Sequence, residues 1–268
     1  MQERDIQIRG FRVRLPLDIC VVASANPEDY TNRGRIITPL KDRYGAQIRT
    51  HYPKNIVVEM DIMEAERSPL LDGDGYRITV PQFMKEIVAE TTSMAREHPD
   101  INQRSGVSVR MSIANYESLI SNALRRTILL REDEVVPRIS DLPSIIPSSS
   151  GKIELETVEE GKEGQIIEEL IKKAVKTVFN RHFKLEDFSD FLRNFTDGSS
   201  LEISDTMPTA VYSQKVHGMA GITKAIQRLN GSESAATIAS AVEFILEGLH
   251  LNKKLNKKTV EGEISYWG

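Results

Sequence analysis

The stretch VVASANPEDYTNRGRIITPLKDRYG, Val21 to Gly45, decides how this sequence is read. An apolar run ends in Ala25-Asn26-Pro27, a polar loop carries Arg33 and Arg35, and Leu40-Lys41-Asp42-Arg43-Tyr44-Gly45 follows. The run DICVVASA, which opens two residues after Pro16, has the near-continuous hydrophobicity of a strand buried on both faces of an α/β sheet. Pro39 is placed to open a short helix through Leu40 to Tyr44, which Gly45 stops. AQIRTHY then reads as another strand, ended by Pro53. Upstream, IQIRG-FRVRL between Asp5 and Leu15 alternates around Gly10, the pattern of a β-hairpin with an arginine-rich face. Strand, loop, short helix and strand in this order imply a parallel sheet, of which too few strands are visible to complete one.

The residue types in this stretch suit phosphoryl transfer, which needs positioning and charge neutralisation more than covalent chemistry. A neutral amide at the end of a buried strand can orient an attacking water without adding charge. An arginine from a neighbouring subunit can neutralise charge developing on the γ-phosphoryl oxygens, because its planar fork pairs bidentately with phosphate. Asn26 and Arg43 have those types. Two structural readings stand beside this one: Asn26 caps the strand exit before Pro27, and Arg43 pairs with Asp42 or a sheet-edge carbonyl.

Beyond Lys54 the pattern becomes helical. Helices are expected over Asn55 to Glu66, from Pro81 to about Glu97, and from Ser112 to Leu130, the latter two with apolar residues near helical spacing. PSIIPSSSG, Pro143 to Gly151, is the best linker candidate. Three further helical segments follow: Gln165 to Phe179 with Ile167, Leu170, Ala174 and Val178; Leu185 to Phe195; and Ala235 to Leu255 with Ile238, Val242, Ile245 and Leu249. The expected layout is a sliver of α/β sheet followed by two helical bundles.

Composition bounds the function classes. The chain has 268 residues, of which 40% are hydrophobic and 28% charged, ordinary for a globular protein with a real core. A formal net charge of -4 argues against non-specific binding to nucleic acid or an anionic membrane surface. A single cysteine, Cys20, leaves no intramolecular disulfide and fits a reducing compartment. No apolar run approaches a membrane span and MQERDIQIRG has no signal-peptide core, so a cytoplasmic location is expected.

Several catalytic motifs are missing. The nearest approach to a P-loop, SSSGKIE, has Ile153 where the magnesium-binding hydroxyl belongs and Ile146 where the first glycine belongs. No apolar strand ends in Asp-Glu to hold magnesium. LDGDGYRI opens like a calcium loop, yet Tyr76 and Phe83 fall where oxygen ligands are needed. His51, His98, His182, His217 and His250 show no metal-ligand spacing, and a GxSxG nucleophile elbow is absent.

VVASANPEDYTNRGRIITPLKDRYGAQIRTHYP resembles the second half of the ATPase core in AAA+ proteins of the magnesium-chelatase and MoxR-like group. There an Asn-Pro ends the fourth strand (sensor 1), and Leu-x-Asp-Arg-Phe/Tyr-Gly carries the arginine finger. IQIRGFRVRLP is similar to the hairpin inserted before the sensor 1 strand. SGVSVRMSIANYE resembles the Gly-x-Ser-x-Arg opening of a lid helix, whose arginine, sensor 2, corresponds to Arg110. PSSSGKIELE and AVEFILEGLHLNKKLNKK resemble the C-terminal region of a bacterial magnesium chelatase-like subfamily.

The resemblance implies an α/β fragment, the C-terminal part of a P-loop AAA+ core with its β-hairpin, followed by a mainly α-helical lid and a C-terminal helical domain. The implied boundaries are 1–53 for the core fragment, 54–147 for the lid and 148–268 for the C-terminal domain. Members carry Walker A and Walker B upstream of the hairpin. Met1 then corresponds to an internal methionine and the chain to the C-terminal part of a longer ATPase. Asn26 would orient the lytic water, Arg43 would reach the neighbouring subunit's γ-phosphate with Asp42 holding its rotamer, and Arg110 would touch ATP within its own subunit. Arg33 and Arg35 are rivals of Arg43 for the trans contact, or solvated loop charges. Lys253, Lys254, Lys257 and Lys258 read as a basic helix end that complements the helix dipole.

The implied parent binds ATP and Mg2+, assembles with like subunits in a ring, typically a hexamer, and acts on a client or adaptor protein by remodelling it or inserting a metal. The chain alone, lacking both nucleotide-binding motifs, is expected to be inactive and to bind no cofactor. A second reading is a non-catalytic helical module that docks on a partner or on complete ATPase subunits.

Overall fold

Phe83 and Phe244 stack at 4.4 Å between ring centres, and Phe179 meets Phe244 edge-on at 5.8 Å, where the three helices at the heart of the protein cross. These are α3 (Gln82–Ala95), α6 (Lys162–His182) and α10 (Ala235–Leu251). The computed structural model describes residues 5–14, 20–25, 38–68, 75–156, 161–196, 198–219, 221–229, 234–260 and 262–268. The fold is mixed α/β and mainly helical, and it divides into two units, residues 1–51 and 52–268.

In the first unit, β1 (Asp5–Ile8) and β2 (Phe11–Arg14) pair antiparallel with Ile8 opposite Phe11. Arg9 and Gly10 both take positive φ, 51° and 87°, as a two-residue hairpin turn demands. A short α1 (Thr38–Lys41) follows at the position where Pro39 was expected to open a helix. Residues 20–25 and 46–51 form no strand, which departs from the expected sheet. A strand of a parallel sheet needs neighbours to take its hydrogen bonds and both its faces. The described residues of this unit supply none, and Val22 and Ile48 are each 90% exposed.

The second unit has one continuous hydrophobic core running from Met60 to Tyr266, so residues 54–147 and 148–268 share it. Asn55 starts α2 (Ile56–Glu66) by accepting a hydrogen bond from the Val58 N–H at 3.0 Å. α4 (Arg110–Leu130) packs on α2 and α3. A two-residue parallel pair, β3 (Arg77–Ile78) with β4 (Glu134–Val135), ties the segments flanking these helices. α6 lies along α3, and α10 along α6. Gly248 permits the last approach: a Cβ there would collide with the Phe179 ring.

The segment expected to be a linker is instead a packed part of this core. Ile139–Ser144 forms a 3-10 turn that runs into α5 (Ile145–Ser150), with Leu142, Ile145 and Ser149 buried. Ser149 is buried and Ser144, Ser148 and Ser150 are half-buried, with all four hydroxyls taken by hydrogen bonds. Ser148 and Ser149 donate to the Asn115 carbonyl oxygen on α4, at 2.6 and 3.0 Å.

The C-terminal half also departs from an all-helical bundle. After a 3-10 turn at Leu185–Phe188 and α7 (Ser189–Arg193) comes β5 (Ser200–Ser204), then α8 (Thr209–Val216) and α9 (Ile222–Leu229). α10 ends at Leu251, not Leu255, because Lys253 turns left-handed at φ 61° and Lys254 N–H bonds back to the Leu249 carbonyl. The chain then forms β6 (Asn256–Val260) and β7 (Glu263–Trp267), an antiparallel hairpin to which β5 adds in the order β5-β7-β6. Lys257 and Lys258 therefore lie on a strand, not on a helix end.

Candidate functional site at the start of α4

Gly106, Ser108 and Arg110 lead into α4, and each does something its residue type allows. Gly106 sits at φ 69°, and a Cβ there would run into the Tyr52 hydroxyl. The Ser108 hydroxyl accepts the Arg110 N–H at 3.2 Å. Val109 offers no side-chain cap, and no acidic residue lies in the first turn. The first turn of this 21-residue helix carries no acidic residue of its own, and the carboxylate that meets it, Glu59 of α2, is buried. The Arg110 side chain is exposed there and makes no hydrogen bond or ion pair among the described residues.

Behind this exposed end lies a hydrogen-bonded cluster built on the buried Glu59 carboxylate. Tyr52 Oη accepts the Val107 N–H at 3.0 Å, and the Arg96 guanidinium stacks over the Tyr52 ring at 4.6 Å. Arg96 Nε donates to the Val107 carbonyl at 3.0 Å, while its two terminal nitrogens donate to Glu59 at 2.6 and 2.7 Å. Ser112, in the first turn of α4, donates to the same carboxylate, which is 2% exposed. Glu59 of α2, Arg96 just after α3 and Ser112 of α4 thus join in one hydrogen-bonded group next to the backbone that presents Arg110. The exposed Arg110 guanidinium is free to pair with an anion, and its planar fork suits phosphate.

A second charged cluster is sealed. Asp141 accepts Arg126 at 2.9 Å, the Asn122 amide at 2.9 Å and the Arg138 N–H at 2.8 Å. Glu243 accepts the Tyr212 hydroxyl at 2.6 Å and the Ser140 N–H at 2.8 Å. Burial pulls the Arg126 pKa down, but the hydrogen bond and charge of Asp141, with Glu243 and Glu132, carry it above its ordinary value. Burial pushes Glu243 up, and Arg138, Tyr212 and Ser140 only partly offset that. Burial, then Glu243, raises the Tyr212 hydroxyl. Arg138, Asp141 and Glu243 are at most 1% exposed, so this cluster locks α4, α8 and α10 together without meeting solvent.

The other sequence-derived site residues are not brought together with Arg110 within the second unit. Asp42 and Arg43 lie in the first unit, in the turn after α1, both exposed, and no hydrogen bond or ion pair joins them. Asn26, Arg33 and Arg35 fall outside the described residues. Among the described residues no group of three or more His, Cys, Asp or Glu could hold a metal, and no helix is long and apolar enough to cross a membrane. Sequence reading missed Glu59, Arg96 and Tyr52: the Glu59–Arg96 pair spans 37 positions, and nothing in the local pattern links them. Comparison with known protein families, with curated proteins and with solved structures yields no match for this chain.

Proposed function

We propose that this chain is the C-terminal part of an AAA+ ATPase of the magnesium-chelatase/MoxR-like kind, with Arg110 as the lid arginine that senses bound ATP. The observation that carries the reading is the presentation of Arg110: exposed, first in a long helix, without a hydrogen-bond or ion-pair partner among the described residues, and backed by the Glu59–Arg96–Tyr52 cluster. The glycine and serine of the Gly-x-Ser-x-Arg resemblance have geometric work there, at Gly106 and Ser108. The exposure of Val22 and Ile48 supports it from the other unit, since strand-forming apolar runs of this kind are covered when the rest of a sheet is present.

On this reading Arg110 fits the ATP phosphates, while magnesium and the phosphate cradle belong to the Walker motifs of the parent. The parent works as a ring, with Asn26 and Arg43 completing each site, and couples hydrolysis to remodelling of a client protein or to metal insertion. The test is the protein isolated from its source cells. A mass well above 30.2 kDa and ATP hydrolysis lowered at least tenfold by Arg110→Ala are expected. A native protein of 30.2 kDa that neither binds nor hydrolyses ATP overturns the reading.

A further inference from the structure

The β5-β7-β6 sheet has two edges, and they are finished differently. Only two residues separate Val260 from Glu263, so these form the closing, doubly hydrogen-bonded pair of the hairpin. Alternation then turns the backbone of Lys258 and Asn256 toward β7 and leaves that of Lys257 and Thr259 facing outward. The same alternation turns Glu202 and Ser204 of β5 outward on the opposite edge. There both carbonyls are taken: Lys215 Nζ donates to Glu202 at 2.7 Å, and Tyr212 Oη to Ser204 at 3.0 Å. The outward N–H and C=O groups of Lys257 and Thr259 have no such partner among the described residues.

We infer that the outer edge of β6, with the apolar groove beside it, docks an extended acidic segment of a partner protein as an added strand. Lys253, Lys254 and Lys258 are exposed beside this edge, with Glu247 before it and Glu261 and Glu263 after it the nearest acidic residues in the sequence. Lys257, paired with Glu247 at 2.7 Å, also lines a groove of about 150 Å³ with an apolar floor that includes Leu142, Ile171 and Leu251, where the two carboxylates at its rim, Glu247 and Glu168, are each paired with a lysine, Lys257 and Lys172. A groove of that size takes one apolar side chain of a docked strand. Strand addition draws affinity from main-chain hydrogen bonds and specificity from pockets for alternate side chains, and both elements meet at Lys257. Edge lysines guard a sheet against self-pairing. Here they set lysine against lysine in a second copy, while favouring a strand that carries carboxylates. This inference is independent of the ATPase reading.

The experiment selects a displayed library of random peptides on the whole chain and measures binding of the selected sequence as a synthetic peptide. An acidic class with apolar residues at alternate positions is expected. Thr259→Pro removes an outward N–H that the β6–β7 ladder does not use, and is expected to weaken binding at least tenfold. Reversing Lys253, Lys254 and Lys258 to Glu should do the same. Should Thr259→Pro melt early, the wild-type chain still decides: exchange of the Lys257 and Thr259 amides slows on binding, and N-methylation of alternate peptide amides abolishes it. Three results overturn the inference: no acidic class is selected, binding is unaffected by Thr259→Pro or N-methylation, or the chain forms a dimer through β6 that Thr259→Pro dissociates.

Discussion

Arg96 grips Glu59 through both terminal nitrogens, at 2.6 and 2.7 Å, and the pair is nearly closed to solvent, with side-chain exposures of 9% and 2%. The Glu59 carboxylate also takes the Ser112 hydroxyl, and Arg96 also takes the Val107 carbonyl. Breaking one half of such a pair leaves an uncompensated buried charge, at a cost of about 3–5 kcal/mol. Glu59→Gln should therefore lower the unfolding free energy of the chain by an amount of that order in urea titration. Arg110→Ala, at an exposed position with no described partner, should leave it within about 0.5 kcal/mol.

Gly248 offers a test in which two general effects have opposite signs. A glycine in a helix interior costs about 1 kcal/mol relative to alanine, so Gly248→Ala would stabilise an unobstructed helix. Here the new Cβ meets the Phe179 ring, itself clustered with Phe183, Phe188 and Phe244. Overpacking wins, and Gly248→Ala should destabilise by about 1–3 kcal/mol. Thermal melting reads the sign directly, and the double variant with Phe179→Leu should recover part of the loss.

Glu86 on α3 bonds His182 Nε2 on α6 at 2.9 Å, with Arg181 Nη1 at 3.5 Å. Burial pushes its carboxyl up, but the His182 hydrogen bond and charge, with Gln82 and Arg181, bring it below the ordinary carboxylate value. A carboxylate with a depressed folded pKa adds stability above its unfolded pKa and loses it as the pH falls through the folded one. Glu86→Gln should cost about 1 kcal/mol near neutral pH, a figure held low by the partial exposure of His182 and Arg181. The gap between variant and wild type should close in acid. A gap that widened there would contradict the assigned direction.

The helices of the second unit were legible because their signal is local. Ile167, Leu170, Ala174 and Val178 recur at helical spacing in the sequence, and all four are buried in α6. The β5–β7 pairing was not legible, since Leu201 and Tyr266 carry no mutual signal over that separation. Ser148 and Ser149 misled for a related reason: serine-rich chain reads as linker until the buried amide of Asn115 is known to receive it. At the candidate site, the motif Gly-x-Ser-x-Arg pointed to Arg110. The cluster behind it depends on Glu59, Arg96 and Tyr52, which tertiary packing alone assembles.

The division of labour proposed for Asn26 and Arg43 yields a prediction that neither residue's local surroundings can mimic. If Arg43 serves the neighbouring subunit's nucleotide, Arg43→Ala in the complete protein should abolish turnover while leaving ATP binding largely intact. Asn26→Ala should abolish turnover by failing to orient water in its own site. Mixed rings of the two inactive variants then contain interfaces where an intact Asn26 faces an intact Arg43, and these should hydrolyse ATP. Activity should rise on mixing and vary with the ratio of the two. Mixed rings that form, as shown by mass, yet stay inactive would place the roles of Arg43 and Asn26 in one subunit, and would move the trans contact to Arg33 or Arg35, or remove it.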